Sequence, residues 1–211
     1  MLLRRLHYIQ TEKKNDFKML QEELKRELEE LEKQIRGCKK CGLCETRTNA
    51  VPGEGSSEVD IMLVGEAPGF NEDKQGNPFV GAAGGILDQL LKSVDISKDD
   101  VYITNILKCR PPGNRNPQED EINSCAFYLD RQIELIKPKV ICCLGNFAIK
   151  FIMKKFNLDK EIQGVSKIHG KVLKVSTLDG QIKIVAMYHP AVAAYDMNMF
   201  NILKEDFKKI K

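Results

Sequence analysis

The sequence predicts an α/β protein in which a mostly parallel sheet is covered by helices on both faces, and two patterns lead there. Apolar runs of strand length recur along the chain: VDIMLVG at 59–65, VYITNIL at 101–107, KVICCLG at 139–145, and the pair KVLKV and QIKIVAMY at 171–175 and 181–188. Helical patterns alternate with them: GILDQLLKSV at 85–94, the segment 117–136, NFAIKFIMKKF at 146–156 and the tail 199–210. Strands that are apolar at successive positions bury both faces, and alternation with helices marks parallel strands joined by crossovers. In such sheets the ligand lies beyond the carboxyl ends of the strands. The segments GEAPGFNED, TNILKCRPPGNR, LGN and YHPAVAAYD follow the strands and are therefore expected to converge on one pocket.

Taken in chain order, residues 13–36 read as a charged helix with Phe17, Leu20, Leu24, Leu28, Leu31 and Ile35 recurring every three or four positions. That stripe spans only about two to three heptads, too few for a self-sufficient coiled coil, so it is read as docking on the chain's own body. The dozen residues before it read as a frayed extension. The organisation expected is residues 1–36 as an N-terminal extension and amphipathic helix packed on the body, and residues 37–211 as a single domain. VPGEGSS at 51–57 is loop chemistry between cysteine-rich CKKCGLC and the first strand. Pro117, following Asn116, suits the first turn of the helix 117–136.

A chain of 211 residues buries a full core without staples, so its size does not force a metal on it. An apolar fraction of 42% beside 30% charge reads as soluble and globular, with apolar runs far short of the roughly 20 residues that span a bilayer. The opening MLLRRLHYIQTEKK turns charged within a few residues and does not read as a secretory leader, so the expected compartment is the cytoplasm. Seven cysteines is an odd count, and Cys142 and Cys143 lie inside an apolar run, which argues against a disulfide framework. A net charge of +3 permits nucleic acid without demanding it, since a local basic face matters more than the total.

CKKCGLC places Cys38, Cys41 and Cys44 at two overlapping C-x2-C spacings. A zinc ribbon would need a second C-x2-C, and a bacterial ferredoxin run would need a cysteine where Thr48 stands. Cys109 and Cys125 flank the loop RPPGNRNP further on. Four thiolates suit tetrahedral zinc as well as an iron-sulfur cluster, so spacing alone leaves the metal open.

The strand-end segments hold the carboxylates Glu66, Glu72 and Asp73, the amide Asn105 and the imidazole His189, with the aromatic Phe79 close by in NPFVG. An aromatic ring, an amide and an imidazole together can hold a flat heterocycle, the ring covering its face and the amide reading its edge. Each alone has a plainer reading: Phe79 as core, Asn105 as a turn or cap residue, His189, before a proline, as a residue approaching a helix. No G-x-G-x-x-G joins a strand to a helix and no P-loop occurs, so a bound nucleotide cofactor is not expected.

GEAPGFNED, NPFVGAAGGILD, VYITNILKCRPPGNRNP and HPA, in that order, resemble the motifs of the family 4 uracil-DNA glycosylases, the thermostable iron-sulfur type, across residues 38–194. The resemblance implies a three-layer α/β/α sandwich around a central four-stranded parallel sheet. It implies an enzyme that flips uracil out of single- or double-stranded DNA and hydrolyses the N-glycosidic bond, leaving an abasic site. Carried over by residue, Phe79 would stack on uracil, Asn105 would bond its Watson–Crick edge, and His189 would stabilise the departing base. Glu66, Ala67 and Glu72 would complete the uracil pocket, with Glu66 and Glu72 the functional acids. Family 1 enzymes carry an aspartate where Ala67 stands, so the water-activating base is not inherited from them. The family's cysteine pattern is met by Cys38, Cys41, Cys109 and Cys125, implying a 4Fe-4S cluster with Cys44 surplus. Lys108, Arg110, Arg115 and Lys167 are expected phosphate contacts. The loop AVAAYDMNMF is expected in the minor groove, with Ala194 and Tyr195 where many relatives have a leucine-arginine pair. A monomer with no membrane association is expected.

Overall fold

The structure is a computed structural model that describes the backbone of residues 2–211 and the side chains from Lys18 onward. Phe17, the first position of the apolar stripe, thus lies outside the described side chains. The elements run α1 (Leu2–Arg36), α2 (Leu43–Thr46), β1 (Ile61–Gly65), α3 (Phe70–Gln75), α4 (Ala82–Ser93), β2 (Val101–Asn105), α5 (Glu119–Ile136), β3 (Val140–Leu144), α6 (Asn146–Lys155), α7 (Val165–Ile168), β4 (Val172–Thr177), β5 (Gly180–Met187), α8 (Val192–Tyr195) and α9 (Asn198–Phe207). The short α2, α3, α7 and α8 fall in segments that carry too little periodicity to announce them.

One sheet has the strand order β2-β1-β3-β5-β4, with β1 parallel to β2 and β3, and β3 parallel to β5. These four parallel strands are the ones the family resemblance implied, and a fifth is added. β4 pairs antiparallel with β5 across the tight turn at Leu178 and Asp179, giving five strands in all. The reason is legible in its residues: Val172–Thr177 mixes half-buried and exposed positions, as a strand with one solvated face does, where the central β3 is buried throughout. The opposite edge, β2, is covered by a single bridge in which Glu54 and Ile103 exchange both backbone hydrogen bonds.

The period of two along each strand sorts the core into two layers. Met62, Val64, Tyr102, Ile141, Cys143 and Ile184 face one side, with α1, α5 and α6. Leu63, Ile103, Cys142, Leu144, Val185 and Met187 face the other, against α4 and α9. Three layers result, and Cys142 and Cys143 are core residues on opposite faces. Leu28, Leu31 and Ile35 of α1 are buried, and Glu27 pairs with Arg131 of α5, whereas Leu20 is 52% exposed. Only the last part of the stripe is therefore covered by the body.

Candidate active site

Four strand ends were expected to share one pocket, and three do. Residues after β1, β2 and β5 line an open cavity of about 590 Å³ that includes Glu66, Ala67, Glu72, Phe79, Asn105 and His189. The LGN segment after β3 does not reach it, because Gly145 turns the chain at a φ of 91° and α6 starts at once. Asn146 instead accepts from the Val165 N–H and holds the start of α7.

The pocket floor depends on the absence of a side chain at Gly65. A Cβ there would lie 2.3 Å from Asn105 Oδ1 and 3.0 Å from Phe79 Cζ, so the bare strand end lets the amide and ring lie directly over it. Gly65 and Asn105 are register partners at the ends of β1 and β2, which fixes the amide at the sheet's edge. Phe79 adopts a left-handed φ of 51°, uncommon for an aromatic residue. Its loop is held by Glu72, whose Oε1 accepts the N–H groups of Val80 and Gly81 at 3.0 and 2.9 Å. Gly84 permits the same turn, since a Cβ on it would fall 1.8 Å from the Phe79 carbonyl oxygen.

His189 stacks on Phe79 with centroids 5.6 Å apart and planes 23° from parallel. Enclosure by the protein pushes its pKa down to about 4, with Glu72 pulling weakly the other way, so the ring is neutral near pH 7. Its Nδ1 accepts the Ala191 N–H at 3.2 Å. A neutral imidazole with Nδ1 accepting must carry its proton on Nε2, which makes His189 a hydrogen-bond donor at its other nitrogen. The HPA sequence thus sets a tautomer as well as a position. Burial alone raises the pKa of Glu66, with no charged or hydrogen-bonding partner contributing. Glu72 is tied to a loop, and Glu66 is the half-buried acid with a free hand.

A second constellation lies at the other end of the β2 loop. Cys38, Cys41, Cys44, Cys109 and Cys125 line one cavity, together with Arg47, Lys108 and Tyr128. The Cys109 sulfur accepts from Arg47 Nη1 at 2.9 Å, Cys125 from the Lys108 N–H at 3.3 Å and Cys38 from the Lys40 N–H at 3.5 Å. Such donors suit thiolate sulfurs. Among the described residues no three His, Cys, Asp or Glu side chains group as a single-metal site, and the cavity the cysteines line is about 10 Å³.

Several expected DNA contacts look different in place. Lys108 is buried, and its Nζ donates to Thr104 Oγ1, the Asn105 carbonyl and Gln132 Oε1 at 2.6–2.7 Å. A side chain so buried does not meet a phosphate, and the expectation is corrected. The lysine stands three residues past the end of β2, and its side chain turns back onto Thr104 and Asn105 at the strand end. The Arg115 guanidinium is engaged in a two-pronged pair with Glu121 that also caps α5. Arg110 donates from Nε to Asn114 at 2.6 Å. Lys167 and Ala194 are exposed, and Tyr195 is 93% exposed at the pocket mouth. Asp73, grouped with the pocket acids by sequence, is buried away from the cavity lining and accepts the N–H groups of Thr48 and Asn49. Sequence reasoning passed over Arg47 and Gln132, whose partners lie far away in the chain; no local pattern could mark them.

An aromatic face, an amide and a neutral imidazole at the carboxyl ends of a parallel sheet define a nucleobase-binding α/β protein. The family model described as the uracil DNA glycosylase superfamily matches residues 52–210, and the chain belongs to that superfamily. The type-4 uracil-DNA glycosylase of Sulfurisphaera tokodaii is 49% identical over 185 residues, covering 87% of this chain and 83% of its own. That of Archaeoglobus fulgidus is 47% identical, covering 87% of this chain and 91% of its own, and that of Thermotoga maritima is 38% identical, covering 87% and 93%.

Proposed function

We propose that the protein is a monofunctional uracil-DNA glycosylase that flips uracil from DNA and hydrolyses its N-glycosidic bond, initiating base excision repair. The observation that carries this reading is the grouping of Phe79, Asn105 and His189 around one pocket. Phe79 offers a stacking face, and the Asn105 amide offers one donor and one acceptor to the uracil O4 and N3–H, a pattern cytosine reverses. The methyl of Ala67 supplies no carboxylate. Glu72, clamping the Phe79 loop, forms the wall that a thymine methyl would meet.

In the reaction the C1′–N1 bond breaks, negative charge passes into the base, and the sugar becomes cationic. The Nε2–H of neutral His189 donates to uracil O2 and strengthens its bond as charge develops; donors of this kind contribute on the order of 10²–10³ in rate. Glu66 stabilises the sugar cation and orients the water whose oxygen adds to C1′, and the proton that water gives up balances the negative charge that left on uracil. Arg110, Lys167, Ala194 and Tyr195 are the candidate DNA contacts that stay accessible. Cys38, Cys41, Cys109 and Cys125 would hold a 4Fe-4S cluster, which supplies a structural anchor and no electron to the reaction. The cysteines lining one cavity, and the N–H donors on three of their sulfurs, support a thiolate-ligated centre there, and the family resemblance supports the cluster as its occupant. Residues 1–36 serve as an appendage to a single domain, and the protein acts as a cytoplasmic monomer.

The test incubates purified protein with end-labelled single- and double-stranded oligonucleotides bearing one uracil, followed by alkali. Cleavage at the uracil is expected, and its loss by at least 100-fold in Asn105→Ala and His189→Ala. An uncut oligonucleotide would sink the enzyme reading, and undiminished cutting by both variants would sink the site.

A further inference from the structure

Phe70 is the first residue of α3, directly after the pocket segment GEAPG, and 59% of it is exposed. It packs in neither core layer. It lines the mouth of the cavity that holds Asn105 and His189. One neighbour attends to it: the Arg110 guanidinium, from the loop after β2, lies 5.2 Å from the ring centroid. Arg110 is itself steadied by its Nε bond to Asn114. Two strand-end loops therefore collaborate to hold an aromatic ring in solvent, which costs hydrophobic free energy and gives no core contact in return. A cation over one face fixes the ring and leaves the second face for another planar group.

We propose that Phe70, backed by Arg110, is a stacking subsite for the nucleobase adjacent to the uracil in single-stranded DNA, an inference that rests on the uracil-excision reading. Extruding uracil strips its neighbour of a stacking partner, and an aromatic ring at the pocket mouth replaces that partner. The guanidinium beside the ring also meets the phosphate that joins the two nucleotides. In a duplex the neighbouring base stays paired and stacked on its far side, so it is less free to turn onto the ring, and the subsite favours single strands.

The test uses the full-length protein and three single-stranded oligonucleotides: one with a single uracil between normal bases, and two with an abasic spacer replacing the base on its 5′ or its 3′ side. With the normal oligonucleotide Phe70→Ala is expected to lower kcat/KM about tenfold, through KM. With one of the two spacer substrates wild type falls by a similar factor, and there Phe70→Ala equals wild type, because the base that the ring would cover is gone. Phe70→Trp restores the normal-substrate rate. A Phe70→Ala enzyme equal to wild type on the normal oligonucleotide, or slowed equally on all three, overturns the subsite while leaving uracil excision standing. A wild-type protein that cuts none of the three overturns both.

Discussion

Gly65→Ala is a test of whether the pocket floor works as its geometry implies. The added methyl carbon would lie 2.3 Å from Asn105 Oδ1, where ordinary contact begins near 3.4 Å, so the amide must retreat by about 1 Å. The backbone cannot yield in its place: β1 is hydrogen-bonded on both sides, to β2 and β3. Phe79, 3.0 Å from the same carbon, is turned at the same time. A displacement of about 1 Å at a recognition group costs on the order of 100-fold, or about 2.7 kcal/mol of transition-state stabilisation. Overpacking by one methyl costs about 1–3 kcal/mol of folding stability, so the variant should remain folded at 25 °C. The measurement is single-turnover excision from a uracil oligonucleotide, beside thermal unfolding followed by circular dichroism. Excision within threefold of wild type in a folded Gly65→Ala protein would refute the claim that this strand end positions Asn105.

Other outcomes follow from the same site. His189 has a folded pKa near 4 against an unfolded value of 6.5, so the unfolded chain binds the extra proton first as pH falls. Stability should decline by up to about 3 kcal/mol as pH drops from 6.5 to 4, and His189→Gln should flatten that part of a urea-denaturation profile. The same low pKa predicts excision with no His189 titration between pH 6 and 8; an inflection near 6.5 lost in His189→Gln would contradict the neutral donor. Glu72→Ala leaves the Val80 and Gly81 N–H groups without their acceptor and should cost about 1–3 kcal/mol in thermal unfolding, while Glu72→Gln keeps an oxygen there and should cost less. If the proposed 4Fe-4S cluster is held by these cysteines, replacing Cys109 or Cys125 by serine should lower the iron and sulfide found by colorimetric assay, whereas Cys142→Ser should leave both unchanged.

The sheet was readable because its strands are apolar on both faces, and the pocket because chemistry-bearing residues follow those strands. Phe79 shows where that reading stops. Its motif NPFVG marks a loop, but the left-handed backbone that turns the ring over Gly65 depends on Glu72 and Gly84, which touch it only after folding. Lys108 is the clearer failure. A lysine in a basic loop reads as solvated, and only the arrival of Gln132 from α5 and Thr104 from β2 gives its Nζ a buried seat. Asp73 fails for the same reason, since Thr48 and Asn49, its partners, come from the loop that follows the cysteine segment, more than twenty residues upstream. β4 was read as one half of a pair; its place at an antiparallel edge follows from its one solvated face and from the short turn to β5.

Lys108 also joins the two constellations. Its backbone N–H reaches the Cys125 sulfur, its Nζ reaches the Asn105 carbonyl, and its own carbonyl accepts the Val51 N–H. Cys109 comes next in the chain and takes the Arg47 guanidinium, which also binds the carbonyls of Arg36 and Cys38. The end of α1, the cysteine segment and the strand carrying Asn105 are thus fastened through a few adjacent bonds. Four sulfurs cross-linked by an inorganic core would close this set, because they tie positions far apart in sequence whose separate ordering costs conformational entropy. Removal of that core should therefore loosen Asn105 before it unfolds the sheet. Chelation of the protein should raise KM for uracil DNA and speed amide hydrogen exchange at Ile106 and Leu107, while β3 stays protected. Equal exchange at those amides with and without the bound group would separate the cysteines from the pocket.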